Sequence, residues 1–381
     1  MSNRHHCNNL SRELFLAYAP RYLDDETHNK NIIVATDAAL KGFTALYHGT
    51  GGKTRSELDA VGFKERYSSS SSDHDDITAI TLLSRPEYTG KLRKSFQRNV
   101  VRECTEHFFH TRVNKKEIDF LKHKLILTNK VNSWFEKKTR GAIKEMIDIT
   151  NIIISDPMVM VTKTVFNGKW MHPFFTDSDV SPFFISNTTA INARMMTNTE
   201  SEFTTVSHLE KDFAATIVKF PFSKGNGWFV AVMPNEPATA DQLVSLLSRL
   251  GDLEEFFTSF TLKIPCQYES MPEFRGETHL VLNDSLSEPL EGLGSIEALR
   301  EFQRGGPNFS NMFRQEFLFT FLKLELKSVI ETMSATESRR KIRNGTIIDR
   351  KIILNKPMLY FIINRENYVR CIGILTNPNQ L

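Results

Sequence analysis

The chain has 381 residues, is 40% hydrophobic and 24% charged, and carries a formal net charge of +3. That length suits one large domain or two average ones, and the composition is that of a soluble globular protein. So small a net charge sets up no global field demanding nucleic acid, and no apolar run approaches a membrane span.

The opening segment, MSNRHHCNNLSREL, has no apolar h-region and so does not read as a secretory signal. The cysteines Cys7, Cys104, Cys266 and Cys371 are scattered, with no CxxC spacing. They fit free thiols in a reducing compartment rather than a metal cluster or a disulfide framework. The expectation is a cytoplasmic protein, or one exported without a signal, with no metal and no cofactor.

In chain order, Ser11 to Tyr18 predicts an amphipathic helix stopped by Pro20. Asp37 to His48 predicts a second helix, broken at Gly49-Thr50-Gly51-Gly52. The string HGTGGKT invites a phosphate-loop reading and fails it twice. The spacing requires a glycine where Tyr47 stands, and the loop should follow a strand. A helix C-cap and a new helix starting near Thr54 explain these residues better.

Residues 64–76 read KERYSSSSSDHDD, and residues 64–78 are expected to form a mobile Ser/Asp-rich loop. Asp73, Asp75 and Asp76 lack the glycine and terminal glutamate of a calcium loop. Residues 91–116 are basic, and Lys91, Lys94, Arg98 and Arg102 recur at helical spacing on one stripe. Such a stripe is either a solvated helix face or a meeting place for a polyanion. Asn132 to Ile147 predicts a helix with Asn132 or Ser133 as N-cap.

From Val159 the texture turns β-rich: VMVTKTVFNGKW, PFFTDSDVSPFFI, INARMM, EFTTVSHL, AATIVKFPF and GWFVAVMPNE. Short strands between Asn, Gly, Asp and Pro turns predict large antiparallel sheets. Helical pattern returns at Ala240–Leu250 and Ser295–Phe302, and strands close the chain at Ile352–Leu354, Met358–Ile363 and Val369–Leu375. Helices come early and sheets late, so the class is α+β.

One stretch, Lys327 to Ile348, stands apart. Ile330, Thr332, Ser334, Thr336 and Ser338 are uncharged, while Glu331, Glu337 and Arg339 fall on the other parity. Period two puts the two sets on opposite faces of an extended strand. The segment is poor in core-strand residues and ends in Arg339, Arg340, Lys341, Ile342 and Arg343. It reads either as a solvated surface loop or as an exposed loop able to become a strand.

Several motifs resemble those of the serpins, the serine protease inhibitor family, over nearly the whole chain. Asn31, Ala45-Leu46-Tyr47, Gly49, Gly52, Thr54, Arg55, Leu58 and Gly62-Phe63 resemble the family's early helix pair. Val131-Asn132-Ser133-Trp134 with Gly141-Ala142-Ile143 resembles its central helix. Phe166-Asn167-Gly168-Lys169-Trp170 before Pro173-Phe174 is similar to its FxGxW...PF stretch, and Met195-Met196 to its methionine pair. Val232 to Glu236, then Lys356-Pro357 to Ile362, Gly373 and Pro378, complete the pattern.

The resemblance implies a single domain, 1–381, with three β-sheets, about nine helices and an exposed reactive-centre loop at 327–348. Many serpins have the scissile residue fourteen positions before the proline matched by Pro357, which gives Arg343, with Asn344 following. Arg339, Arg340, Lys341 and Ile342 then flank the bond. Ile330, Thr332, Ser334, Thr336 and Ser338 form the hinge and inserting face. Anchoring on Glu325-Leu326 instead shifts the register by one and buries Glu331, Glu337 and Arg339, which burial disfavours.

The implied activity is that of a monomeric trap for trypsin-like serine proteases, not an enzyme. The alternative is a non-inhibitory serpin that is cut without inserting and serves as a binding or storage protein. The chain departs from the family at Val329, at Thr332-Met333-Ser334-Ala335, at Ala35-Thr36, at Thr162 and near Phe319. The serine-rich loop replaces the helix that binds heparin in some members, leaving Lys91, Lys94, Arg98 and Arg102 as the candidate glycosaminoglycan stripe.

Overall fold

The computed structural model describes residues 3–23, 31–49, 76–84, 107–109, 120–138, 140–141, 144–146, 158–166, 168–198, 205–209, 214–223, 227–259, 268–282, 322–331 and 351–380. The first helix, α1 (Asn3–Leu23), starts before Ser11 and runs through Pro20. Cys7, Leu10 and Leu14 are buried at helical spacing, so the apolar stripe already begins upstream of Ser11. Pro20 gives up one backbone hydrogen bond to the preceding turn, and the helix nevertheless runs on to Leu23.

Strand β1 (Ile32–Val34) leads into α2 (Thr36–Gly49), which ends at Gly49 as the sequence predicts. Asp37 in its first turn is buried and pairs with Lys41 Nζ at 2.7 Å, one turn along. Strand β2 (Asp76–Ser84) takes Asp76, Ile77 and Thr78 out of the expected 64–78 loop. The β-branched run from Ile77 to Thr81 favours a strand, and Asp76 stands opposite Phe166. The rest of that loop, the basic stripe at Lys91–Arg102 and the helices expected near Thr54 and at Ser295–Phe302 lie outside the described residues. Strand β3 (His107–Phe109) follows.

Helix α3 (Phe120–Lys138) also corrects an expectation, since Asn132 and Ser133 sit inside it. Asn132 does not cap its own helix. Its Oδ1 accepts the Met146 N–H at 2.9 Å and pins the chain that follows to the helix flank. The helix stops where Arg140 and Gly141 turn left-handed, at φ 53° and 85°. The Gly141 N–H then reaches the Glu136 carbonyl at 2.8 Å.

The strands expected next all form: β4 (Met158–Phe166), β5 (Phe175–Phe184), β6 (Ala190–Asn198), β7 (Thr205–Leu209), β8 (Ala215–Pro221) and β9 (Trp228–Pro234). Helix α4 (Ala240–Arg249) opens on a capping box in which Thr239 and Gln242 serve each other's backbone N–H at 3.3 and 2.8 Å. Short α5 (Leu253–Thr258) is capped by Asp252. Then come β10 (Tyr268–Pro272), β11 (Arg275–Leu282), β12 (Leu322–Glu331), β13 (Lys351–Ile353), β14 (Met358–Ile363) and β15 (Val369–Leu375).

The strands build three sheets, ordered β1-β15-β14-β9-β8-β7, β13-β10-β6-β5 and β11-β12-β4-β2-β3. With five helices among the described residues, the class is α+β. Strand β14 is buried throughout because its sheet is covered on both faces. On one side lie Phe174, Phe183, Met195, Met196, Phe220, Phe222 and Phe229. On the other, Phe257 of α5 meets Phe361 edge-on at 5.2 Å. Asn31 ties the C-terminus to this body. Its Oδ1 accepts the Thr376 and Asn377 N–H groups at 2.9 and 3.1 Å, and its Nδ2 donates to the Asn377 carbonyl at 2.6 Å.

Candidate functional site

The five-stranded sheet holds two parallel joins, a short one between β2 and β3 at its edge and a long one at its centre. β11–β12 and β4–β2 are antiparallel pairs, and between them β12 and β4 run parallel. Nine rungs make this seam, from Leu322 opposite Met158 to Ile330 opposite Phe166. Parallel ladders carry slanted hydrogen bonds and are slightly weaker per residue than antiparallel ones. On β4, Thr164 and Phe166 are buried while Lys163 and Val165 are half-buried, so one face of the seam looks into the core.

What closes the end of the seam is aromatic. Past Phe166 the chain passes Gly168, where an added Cβ would lie 2.5 Å from the Phe166 ring and 2.9 Å from the Phe222 ring. Only a hydrogen fits. Trp170 can therefore stack on Phe222, with ring centroids 5.0 Å apart and planes 26° from parallel. Phe174 and Phe229 meet its edges at 5.3 and 5.8 Å. Two backbone bonds hold this segment to β8 and the residues after it: Met171 N–H to the Pro221 carbonyl, 3.0 Å, and Ser223 N–H to the Lys169 carbonyl, 2.7 Å. The FxGxW spacing is thus a packing device.

The segment that follows the seam is anchored in two different sheets. Before it, β12 ends at Glu331; after it, β13 begins at Lys351 and pairs parallel with β10 at the edge of the four-stranded sheet. Beyond β13, Lys356 Nζ donates to the Asn235 carbonyl at 2.6 Å. Gly373 lets β15 pass the ring of Tyr360, where a Cβ would come within 2.1 Å.

Of the residues singled out in the sequence, Ile330 lies in β12, paired with Gly276 on one side and Phe166 on the other. The stretch Lys327–Glu331, read from sequence as loop, is therefore strand, because Leu322 to Ile330 match β4 rung for rung. Thr332, Ser334, Thr336, Ser338, Arg339, Arg340, Lys341, Ile342, Arg343 and Asn344 lie outside the described residues. So do Lys91, Lys94, Arg98, Arg102 and Phe319. Thr162 takes its place in the sheet between Leu326 and Ile80. Ala35 and Thr36 are buried, and the Thr36 hydroxyl donates to the Arg370 carbonyl at 3.5 Å.

Sequence reading missed Lys219, a buried cation on β8. It also missed the grip of α1 on the β14–β15 turn. Asn8 Oδ1 accepts the Val369 N–H and its Nδ2 donates to the Asn367 carbonyl, each at 2.9 Å. Arg4 pairs with Glu254 and donates to the Glu366 carbonyl at 3.0 Å, while His5 pairs with Asp252. The Asp252 carboxyl is lowered by its hydrogen bonds to backbone N–H groups and by His5, against the opposing effect of burial. Long sequence separation hides such pairs. Among the described residues no helix is long and apolar enough to cross a membrane.

Comparison with known proteins agrees with this architecture. The family described as "Serpin (serine protease inhibitor)" matches residues 14–378. The chain is 21% identical over 383 residues to Serpin B13 of Homo sapiens, covering 93% of this chain and 95% of that one. It is 25% identical over 300 residues to plasminogen activator inhibitor 2 of Homo sapiens, covering 76% and 69%. The structure of Arabidopsis AtSerpin1 in its native stressed conformation is similar at a TM-score of 0.73 and 16% identity, over 99% of each chain. With the three sheets in place and the family matching nearly end to end, this chain belongs to the serpins.

Proposed function

We propose that the chain is a suicide-substrate inhibitor of trypsin-like serine proteases. A protease takes the segment after β12 as substrate, and its nucleophile attacks the carbonyl of Arg343 with Asn344 as leaving side. The freed strand folds back into the β4–β12 seam before the acyl-enzyme is hydrolysed, and the protease is carried with it. The reading is that of a monomer acting by itself, with Lys91, Lys94, Arg98 and Arg102 open to a glycosaminoglycan.

The observation that carries this reading is the parallel seam itself. A strand returning along β12 runs antiparallel to both β12 and β4, so one parallel ladder gives way to two antiparallel ones. Roughly a dozen new ladder bonds at about 1 kcal/mol net each rival the roughly 5–15 kcal/mol that holds a domain together. That is enough to distort a protease active site. The uncharged parity of Thr332, Ser334, Thr336 and Ser338 suits the buried side of such a strand. An arginine at the scissile bond suits a pocket with a carboxylate at its base.

The second reading, a serpin cut as plain substrate, rests on the atypical hinge residues Val329 and Thr332 to Ala335. Incubation with trypsin separates the two. An SDS-stable adduct and a large rise in thermal stability after cleavage belong to the inhibitor, and cleavage without either belongs to the substrate.

A further inference from the structure

We propose that Lys219 is a modification site, an amine placed to condense with a small, uncharged carbonyl compound. Lys219 stands on β8 between Thr205 of β7 and Val230 of β9, and it is only 8% exposed. Its Nζ lies 4.1 Å from the centroid of the Trp228 ring and donates to Asn367 Oδ1 at 3.4 Å. No carboxylate among the described residues pairs with it. Asn367 is fixed in turn: its backbone is left-handed, φ 62°, and its carbonyl accepts from Asn8.

Among the described residues this buried ammonium is served by a neutral amide and an indole face, and it is held against its own desolvation. Burial lowers the Lys219 amine to about 8. At pH 7 about a tenth of it is then free amine, against about one part in a few thousand for an ordinary lysine.

The chemistry balances without a further reactant. The neutral Nζ attacks the carbonyl carbon and forms a carbinolamine, which loses water to leave an imine: amine plus aldehyde gives imine plus water. The imine carries no charge, so the burial that penalises the ammonium favours the product. The flat C=N group lies against the indole, and the Asn367 amide stands where it can hydrogen-bond the carbinolamine hydroxyl. The low exposure selects a small partner, and the lack of a counter-charge among the described residues selects an uncharged one. Trp228 and Asn367 are themselves half-buried, so the approach to Nζ runs between them.

The test uses the intact folded protein with propionaldehyde and cyanoborohydride, which traps the imine as a secondary amine. Peptide mass spectrometry compares Lys219 with the exposed Lys351. Lys219 is expected to react at least about tenfold faster at pH 7, with a rate that levels off above about pH 8, as an amine lowered to about 8 requires. A Trp228→Leu variant, checked for folding by its thermal transition, should bring the two rates together. Lys219 reacting no faster than Lys351, or at a rate that still climbs well above pH 8, overturns the proposal. So does a folded Trp228→Leu variant that keeps the full preference.

Discussion

Ile330 stands opposite Phe166 on the last rung of the parallel seam, and on its other side it is paired with Gly276. Being bonded into the sheet on both flanks, Ile330 belongs to the fixed body of β12. In the insertion mechanism the first residue of the inward parity free to enter is then Thr332, and the inserting strand runs from there toward Arg343.

That boundary sharpens the role of Thr336, which lies mid-way along the inserting parity. Thr336→Arg places a guanidinium on the side of the strand that enters the core, and burying it unpaired costs several kcal/mol, on the order of the insertion energy itself. The expected outcome is full cleavage by trypsin with loss of the SDS-stable adduct. A Thr336→Arg protein that still traps trypsin one-to-one refutes insertion in this register.

Cleavage itself is expected after Arg343. The small C-terminal fragment released by trypsin should begin at Asn344 by mass spectrometry. A fragment beginning at Lys341 means that Arg340 is recognised instead. Arg340 and Arg343 together also make a minimal R-x-x-R pattern, so a proprotein convertase belongs in the same assay.

Local pattern accounts for much of what was legible in the sequence. Strands β4 to β9 were announced by β-branched and aromatic runs between turn residues, and the sheet count followed from the resemblance. Two local rules were overridden by neighbours. Pro20 reads locally as a stop, yet the stripe of Cys7, Leu10 and Leu14 belongs to an α1 that runs past it. Asn132 reads locally as a cap, yet its side chain serves Met146. Illegible altogether were contacts between distant segments, such as Asn8 with Val369, since one sequence gives no pairing information across 361 positions. The β4–β12 seam belongs to the same class.

Gly168 provides a direct test of the aromatic end of that seam. In Gly168→Ala the new methyl meets Phe166 and Phe222, two rings already packed against one another at 4.9 Å between centroids. Overpacking of this kind costs about 1–3 kcal/mol. Urea denaturation should show a loss of that size, and a variant as stable as the parent means the cluster yields more than its packing implies.

Lys219 gives a pH-dependent prediction with a definite sign. Its folded-state pKa is lowered to about 8 by burial, while the unfolded chain keeps the ordinary value near 10.5. Between these values the unfolded state binds more protons, so this group makes stability rise with pH across that window. Below about pH 8 the cost of the buried charge is present in full. Lys219→Met removes the charge and keeps the length of the stem, and it should stabilise the protein at pH 7 by about 1–3 kcal/mol. The gain should shrink to nothing near pH 10.5. A gain that is flat with pH, or absent at pH 7, shows that Trp228 and Asn367 already compensate the charge.

Asn344-Gly345-Thr346 is an N-glycosylation sequon directly after the proposed scissile bond, and Asn9, Asn187, Asn283 and Asn308 head four more. A glycan on Asn344 would cover the very bond that the protease must reach. An active reactive centre at Arg343 is therefore easiest to reconcile with a protein made outside the secretory pathway. Detection outside cells would not bear on this, because export can bypass that pathway. The glycan itself does: peptide mapping of the native protein is expected to find Asn344 bare. Active inhibitor with an occupied Asn344 would overturn both the compartment and the choice of Arg343.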